Sequence, residues 1–406
     1  MALILLGFRR FPAFETRMEV NAMRHHNSVF HQLTKHIPWG EFDRLVDKHH
    51  GDHRVRSLNC RSQLFALMFG QLSGASSLRQ IEAGLESHRC RLYPSGAKCV
   101  KRSTLADANA SRPWQLFADL FSHMAGAANR GTRHKMKDIT RIMDATRIRL
   151  SGLSADWSLF TGSHCAAKLH IVYNPHTSTP VFADVTPEKV NDIVVAQQLE
   201  LEPGATYVFD LAYYDYTWWA KMDGLGCRFV TRLKSHTKLH DTTVRDVPQG
   251  SNILSDSDGY LPKRQRRNGR NPMNKKVREI VVRISTGKII RLVSNDLQAP
   301  AQQIADLYKQ RWDIEQFFKW IKQNLKIKTF LGTSENAVRI QLYVALITYL
   351  LLRLVHQSQT EIKQASTFVK LIGLNLMHRK PISALKRPPD RPKSDQRQNV
   401  LELFLC

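Results

Sequence analysis

No run of about eighteen consecutive apolar residues occurs in this 406-residue chain. The longest apolar stretch, Leu342 to Leu352, is interrupted by Tyr343, Thr348 and Tyr349, so it reads as a core helix rather than a membrane span. Paired cysteines are missing as well. The six cysteines stand at positions 60, 90, 99, 165, 227 and 406 with no CxxC spacing, which suits buried or incidental thiols in a reducing cytoplasm. His88, Cys90 and Cys99 remain as a zinc candidate, a poor one at that spacing. Acidic residues are scarce: 35 Asp and Glu face 60 Lys and Arg, a formal charge of +25. Such an excess favours a polyanionic partner. A membrane surface is the rival partner, and the missing apolar run counts against it. No basic residue precedes the brief apolar run in Met1 to Phe14, which makes it a poor signal peptide and leaves the cytoplasm as the expected location. A hydrophobic content of 42% suffices for a sizeable core and more than one domain.

The most informative stretch is Tyr308 to Lys322, YKQRWDIEQFFKWIK. Leu307, Ile314, Phe317, Phe318, Ile321 and Leu325 recur at helical spacing. Tyr308, Arg311, Glu315 and Lys322 lie at offsets of about 0, 3, 7 and 14 residues, within an arc of about 60° on one helix face. That face would present a phenol, a guanidinium, a carboxylate and an ammonium together. Guanidinium and ammonium suit phosphate, and a carboxylate suits a metal that promotes attack on phosphate. For any one of these residues an ordinary solvated face is the simpler account. For all four in so basic a chain it is not.

The spacing Y-x2-R-x3-E-x6-K resembles the signature of DDE transposases of bacterial insertion sequences, in the insertion sequence 4 group. The continuation through Gln341 resembles that group too, and the resemblance runs from about Met23 to Phe404. It implies that Glu315 is the third catalytic carboxylate and that two aspartates lie upstream. It also implies a cut-and-paste enzyme that binds insertion-sequence ends and catalyses metal-dependent cleavage and strand transfer. Its partner would be double-stranded DNA, both inverted-repeat ends and target. Pairing two ends makes a homodimer the natural synaptic complex, associated with the bacterial nucleoid. Two rival readings are a ribonuclease-H-fold nuclease of another purpose and a decayed copy that only binds DNA.

Upstream, Ile139 to Leu150 alternates as a strand with Asp144 at its centre, where a charge is costly unless it does something. Ala166 to Pro175 and Thr179 to Pro187 read as the next strands, Asp192 to Leu201 as a helix, and the strand opening at Ala205 ends on Asp210. Three antiparallel strands, a helix and a fourth strand follow the order of a ribonuclease-H-like sheet. There Asp144, Asp210 and Glu315 converge and hold two divalent cations, magnesium best and manganese as a substitute. Asp138, Asp156, Asp184, Asp215 and Asp313 compete on spacing alone. Asp144 is preferred because it matches the family's D-[ST]-[ST] box, with Ala145 replacing the first hydroxyl. Asp210 matches the D-R-G-Y box, with Leu211 and Ala212 in place of Arg and Gly. Asn191 stands where the family usually has His. These departures are what a weakened copy would show.

The fold expected is therefore α+β, with a ribonuclease-H-like core at 131–359. A helical DNA-binding domain at 23–130 precedes the core, and its basic patch is Lys98, Lys101 and Arg102. Helices are read at Ser62 to Leu72, at Ser76 to Glu86 and from about Pro113. Residues 1–22 read as a dispensable extension. A strand-rich insertion is expected at about 225–297, with strands at Cys227 to Lys234, Val277 to Ser285 and Lys288 to Asn295. Its loop from Lys263 to Lys276 carries basic residues and no acid, so Lys263, Arg264, Arg266 and Arg267 are candidate phosphate contacts. The 360–406 tail should include a mobile basic, Pro-rich linker from Lys386 to Lys393 and an apolar end, VLELFLC, suited to docking.

Overall fold

The computed structural model describes residues 27–133, 139–161, 164–247, 249–266 and 269–387. The proposed extension, Asp138, Arg267 and the chain beyond Arg387 lie outside them.

Among the described residues six α-helices come first: α1 Val29–Thr34, α2 Trp39–Lys48, α3 Cys60–Ser73, α4 Leu78–Ser87, α5 Arg102–Ser111 and α6 Gln115–Arg133. Caps set their starts. Asn59 accepts from Ser62 N, and Ser77, one residue later than expected, accepts from Gln80 N. Helix α3 is buried on nearly every side from Cys60 to Leu72, so it is a central helix rather than an amphipathic surface one.

Strand β1 (Thr140–Leu150) begins a ten-stranded sheet. The other members are β2 (Leu159–Thr161), β3 (His164–Asn174), β4 (Thr179–Pro187), β5 (Thr206–Val208) and β6 (Arg228–Arg232), followed by β7 (His240–Val244), β8 (Ile253–Tyr260), β11 (Val277–Arg283) and β12 (Ile289–Ser294). A separate two-stranded hairpin joins β9 (Arg264–Arg266) to β10 (Gly269–Arg270). The sheet order is β2-β3-β1-β5-β6-β12-β11-β8-β7, with β4 on β3. Strand β3 runs antiparallel to β1 and β4, while β5 runs parallel to β1 and β6.

The insertion is therefore no separate body, because β12, β11, β8 and β7 continue the sheet through β6. Strands β7 and β8 were not legible in the sequence. The polar residues of β8 hide it: Asp256 is buried against Arg278, and Asp258 pairs with Arg245. Strand β7 is exposed along its whole length, so it carries no burial pattern. The stretch read as a basic loop is in part the β9–β10 hairpin.

Helices α7 (Ala155–Ser158), α8 (Asp192–Gln198) and α9 (Tyr216–Gly224) interrupt the strands, and α10 (Ala301–Gln310), α11 (Trp312–Asn324), α12 (Glu335–Ser358) and α13 (Ala365–Leu374) follow them. One hydrophobic core joins α1–α6 to one sheet face and to α10–α13. A second core, with Phe209, Trp218, Trp219 and Phe229, fills the other face beneath α8 and α9. Helix α12 is long and apolar enough to cross a membrane, yet 83% of its apolar window is buried inside this fold. Residues 365–387 are not a loose tail. Val29 N and Phe30 N donate to His378 O and Leu376 O, so the two ends of the described chain close on each other.

Candidate active site

Asp144 sits inside β1, and its Oδ1 accepts from Ala145 N at 2.8 Å. Strands β1 and β5 pair in parallel with Ile142 opposite Val208, so Asp144 and Asp210 lie two residues further along neighbouring strands. Asp210 is past the end of β5, where its side chain caps the 3-10 turn Leu211–Tyr213 by accepting from Ala212 N at 2.8 Å. The cap uses the Ala212 backbone, so replacing Arg and Gly by Leu211 and Ala212 leaves it intact.

The segment from Tyr308 to Lys322 is not one continuous helix. It breaks at Arg311, the C-cap of α10 and N-cap of α11, where i→i+3 bonds run from Arg311 N to Tyr308 O and from Ile314 N to Arg311 O. The single helix face is thus replaced by two helices meeting at the guanidinium. Arg311 lies 2.5 Å from Glu315 Oε1 and 3.7 Å from Asp144 Oδ2, and so links the later helix to the first strand. The Tyr308 ring lies 5.8 Å from that guanidinium. Lys322 Nζ donates to Thr146 Oγ1 at 2.6 Å.

Of the competing aspartates, Asp215 caps α9, Asp184 lies 3.6 Å from Arg339, and Asp156 is exposed. Lys263 and Arg264 are exposed on and beside the small hairpin. Sequence reasoning missed Thr146. Its only signal was its place as the last residue of the D-[ST]-[ST] box.

Burial pushes the Asp144 carboxyl up to about 7, and the like charges of Asp210 and Glu315 add to the rise. The Ala145 N–H and Arg311 act against it. The charges of Asp210 and Glu315 are thus felt at Asp144, and this negative region draws a cation. Here that cation is Arg311, bridging Asp144 and Glu315. Among the described residues no three acidic, His or Cys side chains stand ready to hold a metal ion, so the expected ligand set is not preassembled. The donors themselves, all oxygen, fit a hard divalent ion.

A stability prediction follows. A carboxyl whose folded pKa is raised weakens the fold as pH climbs from its unfolded value near 3.9 to the folded one. The penalty is absent below about pH 4 and complete above about pH 7. Asp144→Asn removes it. In chelator, the Asn variant is expected to be about 1–3 kcal/mol more stable than wild type at pH 8 and equal to it at pH 4. Urea titrations at both pH values check this, and an Asn variant no more stable at pH 8 refutes it.

Residues 135–351 match the family model of the transposase DDE domain, and residues 25–98 match a domain of unknown function, DUF4372. The putative transposase y4zB of Sinorhizobium fredii is 37% identical over 297 residues, covering 72% of this chain and 82% of that one. The probable transposase for insertion sequence element IS5377 of Geobacillus stearothermophilus is 30% identical over 275 residues, covering 66% and 71%. A solved piggyBac transposase synaptic complex with hairpin DNA aligns at TM-score 0.44 and 9% identity over 93% of this chain and 85% of that one, a likeness too low to carry an argument. The DDE domain spans more than half of the chain, and the chain belongs to the DDE transposases of insertion sequences, enzymes that act on DNA.

Proposed function

We propose that this transposase binds insertion-sequence ends and catalyses metal-dependent cleavage and strand transfer, with Asp144, Asp210 and Glu315 as its catalytic carboxylates. The observation that carries the reading is Arg311 drawn between Asp144 and Glu315, with Asp210 just past the end of the neighbouring parallel strand. The order β4-β3-β1-β5-β6, antiparallel up to β1 and parallel after it, supports a ribonuclease-H-like core.

The DDE family is generally dependent on divalent metal. Asp144, Asp210 and Glu315 would hold two magnesium ions, with manganese as a substitute, and the ions would supply activation of the attacking oxygen and neutralisation of developing phosphate charge. The chain's own groups bind and orient. Arg311 has two jobs that exclude each other: neutralising Asp144 and Glu315 in free protein, or holding a DNA phosphate once the acids have other partners. Lys322 and Tyr308 bring a donor ammonium and hydroxyl to the same phosphates. Exposed Lys98, Lys101 and Arg102 at the start of α5 give the helical region a surface for the DNA ends. Two ends require two active sites, hence a homodimer in the synaptic complex.

Purified protein incubated with the element's own ends and magnesium tests the reading. Nicks at the ends and joining of the freed 3′-hydroxyls to target DNA are expected. Cleavage without metal, or cleavage that survives Asp144→Asn, overturns it. The basic hairpin makes a separate prediction. Replacing Lys263, Arg264, Arg266 and Arg267 with Gln should weaken binding to all DNA sequences and flatten the salt dependence by about 0.9 log–log units per lost phosphate contact. An unchanged slope returns the hairpin to solvent.

A further inference from the structure

Two cations from the Tyr308–Lys322 segment reach strand β1. Arg311 meets Asp144, and Lys322 meets Thr146 two residues further on. Side chains two apart on a strand leave the same face, so Thr146 shares the face of Asp144. Ala145 points the other way, opposite His170 on β3. The half of the D-[ST]-[ST] box that this chain has lost therefore faces away from the carboxylates. The half it keeps faces them and touches Lys322.

Lys322 needs such a partner. It stands in the last turn of α11, on a flexible four-carbon stem. Left alone, the ammonium samples many rotamers, and fixing it costs up to about 2 kcal/mol of side-chain entropy. Thr146 is only 8% exposed and pairs with Leu169 on β3 in the middle of a long strand ladder, so its hydroxyl is a fixed acceptor. β-branching restricts its side chain further.

We propose that Thr146 is a positioning residue of the reaction: its hydroxyl holds the Lys322 ammonium beside the strand that carries Asp144, where the scissile phosphate must arrive. The inference rests on the function proposed above, in that the phosphate comes to those carboxylates. Together the pairs Arg311–Asp144 and Lys322–Thr146 join the segment carrying Glu315 to the strand carrying Asp144 at two points.

A double-mutant cycle tests it. Thr146→Val keeps the shape and removes the acceptor, Thr146→Ser keeps the hydroxyl, and each is combined with Lys322→Met. End cleavage under single-turnover conditions is expected to slow about tenfold or more in the Val variant, as for one lost hydrogen bond to a charged group. The Ser variant should stay within about threefold of wild type, and Val should add nothing in the Lys322→Met background. Val cleaving at the wild-type rate, Ser failing as badly as Val, or a full Val effect persisting without Lys322 each overturns the proposal. A readout free of activity separates it from the function itself. In free protein, amine labelling of Lys322 followed by mass spectrometry should rise several-fold in Thr146→Val and not in Thr146→Ser. If wild type fails to cleave its ends, the proposed function falls, while unchanged labelling in Thr146→Val would still remove the positioning role. Should the Val variant not fold, Thr146→Ala takes its place in the same cycle.

Discussion

Glu315→Gln should bind the element's ends as tightly as wild type or tighter, and cleave them on the order of a thousandfold more slowly or worse. Both halves come from one contact. Glu315 Oε1 holds Arg311 at 2.5 Å, so the carboxylate competes with DNA phosphate for the guanidinium. The amide keeps the shape, gives up the charge and releases Arg311 for phosphate. It is also a poor ligand for a hard divalent ion, so the chemistry fails where binding does not. Arg311→Ala should act in the opposite sense, losing end affinity as well as rate. Arg311→Lys should restore it incompletely, because one ammonium cannot reproduce a two-pronged contact. Tyr308→Phe removes one hydroxyl and should cost about 1–2 kcal/mol. Gel shifts and cleavage on matched DNA ends decide. A Glu315→Gln enzyme that cleaves near the wild-type rate in magnesium places the third carboxylate elsewhere.

The largest stability effect is expected far from these acids. Asp256 on β8 is 2% exposed, Arg278 on β11 is 4% exposed, and they form two parallel bonds, Nε to Oδ1 at 2.8 Å and Nη2 to Oδ2 at 2.6 Å. Arg278 also donates to the carbonyl of Ala299, just before α10, the helix that leads to Arg311. Asp256→Ala strands a buried guanidinium, and such a loss costs about 3–5 kcal/mol. Replacing both partners at once, with Asp256→Leu and Arg278→Met, should recover most of it, because the desolvation cost of both charges disappears with them. Denaturant midpoints at constant slope measure both. An Asp256→Ala protein within about 1 kcal/mol of wild type would mean that water reaches the pair.

The sequence by itself determined the family and the candidate site residues. Asp144 inside an alternating strand, Asp210 at a strand end, and the spacing of Tyr308, Arg311, Glu315 and Lys322 were all legible, because burial periodicity and charge are written locally. Strands β1, β3, β4 and β6 were readable for the same reason, and so were the apolar helices α3 and α12. Only the tertiary structure decided what depends on partners distant in sequence. Strand β8 holds buried aspartates that look like a loop until arginines from other segments neutralise them. The helical periodicity of Tyr308–Lys322 runs unbroken through the sequence, yet the helix is interrupted at Arg311, whose side chain is shared between Glu315 and Asp144. Thr146 gained a role only when Lys322, 176 positions away, came within hydrogen-bond reach. The same holds for the two ends of the described chain. Residues 28–30 and 376–379 carry no mutual signal, and they close on each other through backbone bonds, which every sequence can make and only a fold can place.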